Sequence, residues 1–202
     1  MPRVGHFRSD AARAHFTAVY RTSLAELPHY DESFDIATSF GTVRVYRFAG
    51  PAGCPVVLLP GRNASTPMWR SNLPGLLTHR TVFTVDLLGE AGLSVQDKSI
   101  DGPEDEARWL DEALAGLGLE QAHLMGLSIG GWTAVNYAAR RPGRTVSIAL
   151  LDPVLTFAGI TVKSVLASLA CFCPACRKRC GGACSVGLQA APRSTILCSR
   201  PS

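Results

Sequence analysis

Four short apolar runs, Val56 to Leu59, Thr81 to Asp86, Ala122 to Gly126 and Thr145 to Leu151, alternate with segments of helical character, and this alternation narrows the fold more than any other feature of the chain. Val56-Val57-Leu58-Leu59 is apolar at every position and is stopped by Pro60-Gly61, which is how a strand buried on both faces reads. Thr66-Pro67 then offers a helix start, with proline early in the first turn ahead of Met68 and Trp69. Further on, Glu104 to Leu119 carries Ala107, Leu110, Leu114 and Leu117 at spacings of three and four, the apolar stripe of an amphipathic helix. Gly130 to Arg140 reads as another helix, ended by Pro142-Gly143. Upstream, residues 11–27 read as a helix with mixed faces and Thr42 to Phe48 as a half-buried strand, with Val43 and Val45 inward and Tyr46 outward. The order β, α, β, α, β, α, β predicts an α/β fold, a mostly parallel sheet with helices on both faces. Functional residues then belong at the carboxyl ends of the strands.

Composition divides the chain. Of its 202 residues 47% are hydrophobic and 18% charged, which suits a globular core and excludes global disorder. The formal charge of +4 suggests an anionic partner, but residues 1–152 hold 14 basic and 16 acidic side chains, whereas residues 153–202 hold six basic ones and no acid. The positive sign therefore belongs to the tail, and neither a nucleic-acid partner nor a membrane partner is expected. Six of the seven cysteines, Cys171, Cys173, Cys176, Cys180, Cys184 and Cys198, crowd the same tail. A secreted disulfide scaffold would spread them along the fold. Met1 to Asp10 has no apolar core, and the stretch Val154 to Phe172 is interrupted by Lys163 and several hydroxyl residues; a cytoplasmic protein is expected. The expected organisation is a helical lead-in over 1–40, an α/β core over 41–165, and a cysteine-rich basic tail over 166–202 outside that core.

Chemistry concentrates at the end of the third run, where Gly126-Leu127-Ser128-Ile129-Gly130-Gly131 matches G-x-S-x-G. A serine on a tight strand-to-helix turn projects its hydroxyl from the sheet edge, and only glycines at the flanking positions, Gly126 and Gly130, let strand and helix pass that closely. The helix that follows aims its first amides at the same point. Ser128 is thus the candidate nucleophile. The backbone N–H of Ile129, together with that of Arg62 beyond Leu59-Pro60-Gly61, forms the candidate oxyanion hole.

Taken together, Leu58-Leu59-Pro60-Gly61-Arg62, the loop Asp86-Leu87-Leu88-Gly89-Glu90-Ala91-Gly92-Leu93-Ser94, the Gly126–Gly131 turn and the strand Ala149-Leu150-Leu151-Asp152-Pro153 resemble an α/β-hydrolase of the serine esterase kind over about residues 40–160. The resemblance implies an esterase acting on a small-molecule ester without a cofactor. Two positions depart from the common pattern: Pro60-Gly61 stands where the family often has His-Gly, and the D-x-x-G-x-G-x-S loop is one residue longer between its glycines.

Such a serine needs a histidine base oriented by a carboxylate, and in this fold the chain order is Ser, acid, His. All five histidines, His6, His15, His29, His79 and His123, precede Ser128, and the one acid after it is Asp152. Asp152, at a strand end, is a candidate acid, although in resembling enzymes the acid comes one strand later. His123 lies in the strand below the turn, where a packing role is expected, and His79 sits at a helix end. The tail has Cys173-x-x-Cys176 at ligand-like spacing but no histidine and no second such pair, so no metal site is assigned. The favoured expectation is that the native reading frame ends near residues 165–180, so that the chain is a C-terminally truncated or frameshifted hydrolase whose base, and acid, belong to a missing part. A non-catalytic binding protein with a metal-binding tail, or an unstable fragment, are the alternatives.

Overall fold

A computed structural model describes residues 4–157. Helix α1 (Asp10–Leu24) starts at Ser9, whose side chain accepts from the Ala12 amide at 3.2 Å, a serine N-cap. Strands β1 (Glu32–Thr38) and β2 (Gly41–Phe48) form an antiparallel hairpin. β3 (Val56–Leu59) leads through a 3-10 helix (Thr66–Ser71) and α2 (Leu73–Leu77) to β4 (Val82–Val85). β5 (Val95–Gln96), α3 (Pro103–Gly116), β6 (Ala122–Leu127), α4 (Ile129–Arg140) and β7 (Thr145–Leu151) complete the order.

The sheet runs β1-β2-β4-β3-β6-β7, with β5 pairing β2 beyond the end of β4. β4, β3, β6 and β7 are parallel, so the predicted mostly parallel α/β sheet is the fold observed. Its antiparallel part comes from β1, β2 and β5. β1 is not among the expected strands, because Glu32, Ser33 and Asp35 interrupt its apolar positions and its outer edge faces solvent.

Strand residues alternate between two cores. Val43, Val45, Val57, Leu59, Phe83 and Val85 pack on one face against α3 and α4 through Ala107, Leu110, Leu114, Ala134 and Tyr137. Tyr46, Phe48, Leu58 and Val82 pack on the other against Tyr20, Trp69 and Leu73. Tyr46 thus corrects the expectation of an outward side chain: α1 covers that face, and Tyr46 is buried between Tyr20 and Tyr30. Covering both faces is why β3 and β4 read as continuous apolar runs. β7 differs, since it is the outermost strand on its side among the described residues, and Val146, Ile148 and Leu151 are exposed.

Candidate active site

β6 hands the chain to α4 through Ser128, which takes φ 52° and ψ −114°. That left-handed backbone is rare for a side-chain-bearing residue and costs on the order of 1 kcal/mol or more. The surroundings hold it: the Ser128 N–H donates to the Leu151 carbonyl at 2.9 Å, and the Ser128 carbonyl accepts from the amides of Trp132 at 3.1 Å and Val154 at 3.3 Å. The two glycines are required by contact. A Cβ on Gly126 would lie 2.2 Å from the Gly130 carbonyl oxygen, and a Cβ on Gly130 would lie 2.2 Å from that of Leu59. Strand β3, the turn and α4 are therefore pressed together backbone to backbone.

The loop after β3 reaches the serine. A Cβ placed on Gly61 would stand 3.6 Å from the Ser128 Cβ. Gly61 to Ala64 closes a tight turn, with the Ala64 amide donating to the Gly61 carbonyl at 3.1 Å and Asn63 at φ 55°. The Arg62 amide has no acceptor among the described residues, and Ile129, as the first residue of α4, has no intrahelical acceptor for its own. Arg62 directly follows Gly61 and Ile129 directly follows Ser128, so two N–H groups without an acceptor among the described residues lie on the segments that meet at the serine, while the Arg62 side chain points to solvent near Glu90.

What braces these loops is a carboxylate to which local sequence pattern assigns no role. Asp86 ends β4 fully buried. One of its oxygens accepts from the Thr66 amide and the Thr66 hydroxyl, both at 2.9 Å; the other accepts from the Tyr20 hydroxyl at 2.9 Å and the Leu93 amide at 2.8 Å. Four donors compensate the loss of water, as a buried charge demands. Burial pushes the Asp86 carboxyl up from the usual carboxylate range, against the pull of those donors. Gly92 packs on it, since a Cβ there would lie 2.7 Å from the Asp86 Cβ. The backbone of the same residue bonds outward: its amide donates to the Arg44 carbonyl at 3.0 Å and its carbonyl accepts from the Ser94 hydroxyl at 2.5 Å. The available sequence signal is an acid closing a strand that must be buried on both faces.

The other candidates lie apart. Asp152 follows β7 in an exposed left-handed conformation, φ 45°, and its side chain has no hydrogen-bond or ion-pair partner among the described residues. His123 pairs across to β7, its Nδ1 2.8 Å from the Ser147 hydroxyl, near the start of β6 and away from its carboxyl end. A cleft of about 1380 Å³ lies between α1 and residues 92–97 and is not lined by Ser128, Arg62 or Ile129. Among the described residues no cluster of metal-ligating side chains occurs and no helix is long and apolar enough to cross a membrane. Cys171 to Cys198, the Cys173-x-x-Cys176 pair and any frame change near 165–180 lie outside the described residues.

A family profile described as alpha/beta hydrolase fold matches residues 55–169. The chain belongs to the α/β-hydrolase family. Among its α/β-hydrolase relatives, the uncharacterized carboxylesterase nap of Bacillus subtilis is 34% identical over 138 residues, 68% of this chain and 46% of the relative. Carboxylesterase YbfK of the same organism is 32% identical over 143 residues, 70% of this chain and 48% of the relative. The crystal structure of naproxen esterase from Bacillus subtilis superposes with a TM-score of 0.76 at 30% identity, covering 86% of this chain and 61% of that one. The chain thus spans about half the length of the curated α/β-hydrolase relatives it matches.

Proposed function

We propose that this chain is the nucleophile-bearing part of a serine hydrolase acting on carboxylic esters. The observation that carries the reading is the juxtaposition at Ser128: a serine held at positive φ where a strand meets a helix, with the Gly61 loop packed against it. The likeness to carboxylesterases supports it. In the reaction the Ser128 hydroxyl oxygen attacks the acyl carbon, the carbonyl oxygen takes the negative charge between the two amides, and the bond to the alcohol oxygen breaks. The alcohol leaves with the serine proton, and water then cleaves the acyl-enzyme. No metal or cofactor enters these steps. A small-molecule ester is the substrate, and the cytoplasm, where thiols such as Cys54 stay reduced, is the assigned location.

The base is the missing part. All five histidines precede Ser128, and His123 is engaged with Ser147. Asp152 is the candidate acid within the chain, and no imidazole meets it among the described residues. The 202-residue chain is accordingly expected to acylate slowly and turn over little, because removing the base costs orders of magnitude while the oxyanion hole retains some catalysis. Incubation with a short-chain p-nitrophenyl ester, followed by mass spectrometry, tests this: a slow acyl adduct on Ser128, accelerated by added imidazole and absent in Ser128→Ala, is expected. Adduct formation unchanged in Ser128→Ala would sink the proposed nucleophile. Fast turnover without imidazole, lost in Ser128→Ala, would sink the missing-base account.

A further inference from the structure

Glu90 sits on the loop after β4, outside every candidate set above, and its side chain is 16% exposed. Its Oε2 accepts from the Asn63 amide at 2.9 Å, and its Oε1 lies 3.5 Å from the Arg62 Nε. Asn63 is the turn residue at φ 55°, immediately after Arg62, whose amide is the proposed oxyanion donor. A four-residue turn of this kind has competing forms that differ by rotation of its central peptide. That peptide joins Arg62 to Asn63, and its N–H is the one Glu90 holds. With this N–H fixed, the central peptide cannot rotate without breaking a charge-assisted hydrogen bond in a half-buried setting, and the turn keeps the form in which the Ala64 amide holds the Gly61 carbonyl, the other end of the peptide unit that carries the Arg62 N–H. The Arg62 ion pair adds little, because the guanidinium is 71% exposed. It does place a positive charge beside the carboxylate, so Glu90 is not left as an unbalanced negative group near a developing oxyanion.

We infer that Glu90 is a positioning residue for the oxyanion hole, holding the 61–64 turn in the form that leaves the Arg62 amide directed at Ser128. It touches no substrate and acts through the Asn63 amide. The inference rests on the proposed role of Ser128 and the Arg62 amide, and its consequence is specific: losing Glu90 weakens stabilisation of the reacting centre without weakening binding of the ester or probe.

The test uses the full 202-residue chain and an alkyl fluorophosphonate. The Ser128 oxygen attacks phosphorus, fluoride leaves, the proton passes to solvent, and the phosphoryl oxygen occupies the oxyanion hole. Labelling of Ser128 is followed by mass spectrometry over a series of probe concentrations. Glu90→Ala is expected to lower the limiting rate about tenfold, less than removal of a donor would, with the half-saturating concentration within about twofold of wild type. Glu90→Gln, whose side-chain carbonyl still accepts from the Asn63 amide, is expected to recover most of that rate. Ser128-dependent labelling that is indifferent to Glu90→Ala, or a Glu90→Gln protein as slow as Glu90→Ala, overturns the inference while leaving the nucleophile standing. Labelling no faster in wild type than in Ser128→Ala overturns both. Hydrogen exchange of wild type gives a reading independent of how the variants fold: the Asn63 amide is expected to be protected and the Arg62 amide exposed, and rapid exchange at Asn63 overturns the inference.

Discussion

β3 and β7 are parallel strands on either side of β6, yet the chain treats their carboxyl ends in opposite ways. After β3 the turn at Gly61 to Ala64 is pinned by Glu90, and the Thr66 that follows is pinned by Asp86. After β7, Asp152 stands exposed with no side-chain partner among the described residues. The strand bodies differ likewise: Val57, Leu58 and Leu59 are fully buried, whereas Val146 and Ile148 are 48% and 41% exposed. The lesson is that Ser128 and the loop that reaches it sit on the enclosed side of the sheet, where loops brace one another, whereas β7 is the outermost strand on its side among the described residues.

The largest effect should come from the brace. Asp86→Ala strands the Thr66 and Leu93 amides and the Tyr20 hydroxyl, and is expected to cost about 4 kcal/mol in urea unfolding; a loss below about 1 kcal/mol would show that the two ends differ less than their geometry implies. Gly130→Ala forces a Cβ to within 2.4 Å of the Pro60 carbonyl oxygen and is expected to cost about 3 kcal/mol by the same measurement. Val57→Ala should cost about 2 kcal/mol and Val146→Ala less than about 0.5 kcal/mol; equal costs would erase the contrast between the strands.

Two smaller effects sharpen it. Ser128→Gly relieves the left-handed backbone and should raise stability by about 1 kcal/mol while removing the proposed nucleophile. Glu106, on α3, accepts from the Thr133 hydroxyl of α4 at 3.0 Å, and burial raises its pKa. The folded chain therefore holds this proton more tightly than the unfolded chain, so the group's contribution is full at low pH and is lost as pH rises from the unfolded value through the folded one. Glu106→Gln should flatten that part of the pH–stability profile, an effect on the order of 1 kcal/mol. An unchanged profile would exclude Glu106 as its source.

Much of the plan is legible in local pattern. Unbroken apolar runs at Val56–Leu59 and Val82–Val85 belong to strands with both faces covered, and the glycines around Ser128 belong to a backbone contact no side chain fits. Tyr46 departs from its expected side because alternation alone does not say which face α1 will cover, and β1 escapes pattern reading because an edge strand tolerates Glu32 and Asp35. Asp86 and Glu90 lie within the loop that carries the family resemblance, but their roles are illegible there, because their partners Tyr20, Thr66 and Asn63 lie 66, 20 and 27 residues away.

The amino-acid sequence by itself determined the parallel α/β plan, the turn at Ser128 and the order of histidines before it, because each is a property of local pattern and chain order. Only the tertiary structure decided that Gly61 abuts Ser128, that the Asn63 amide is held while the Arg62 amide has no acceptor among the described residues, and that Asp86 and Glu90 brace the loops. These are contacts between segments distant in sequence, and their directions are set by how the strands stack and where each loop is tied.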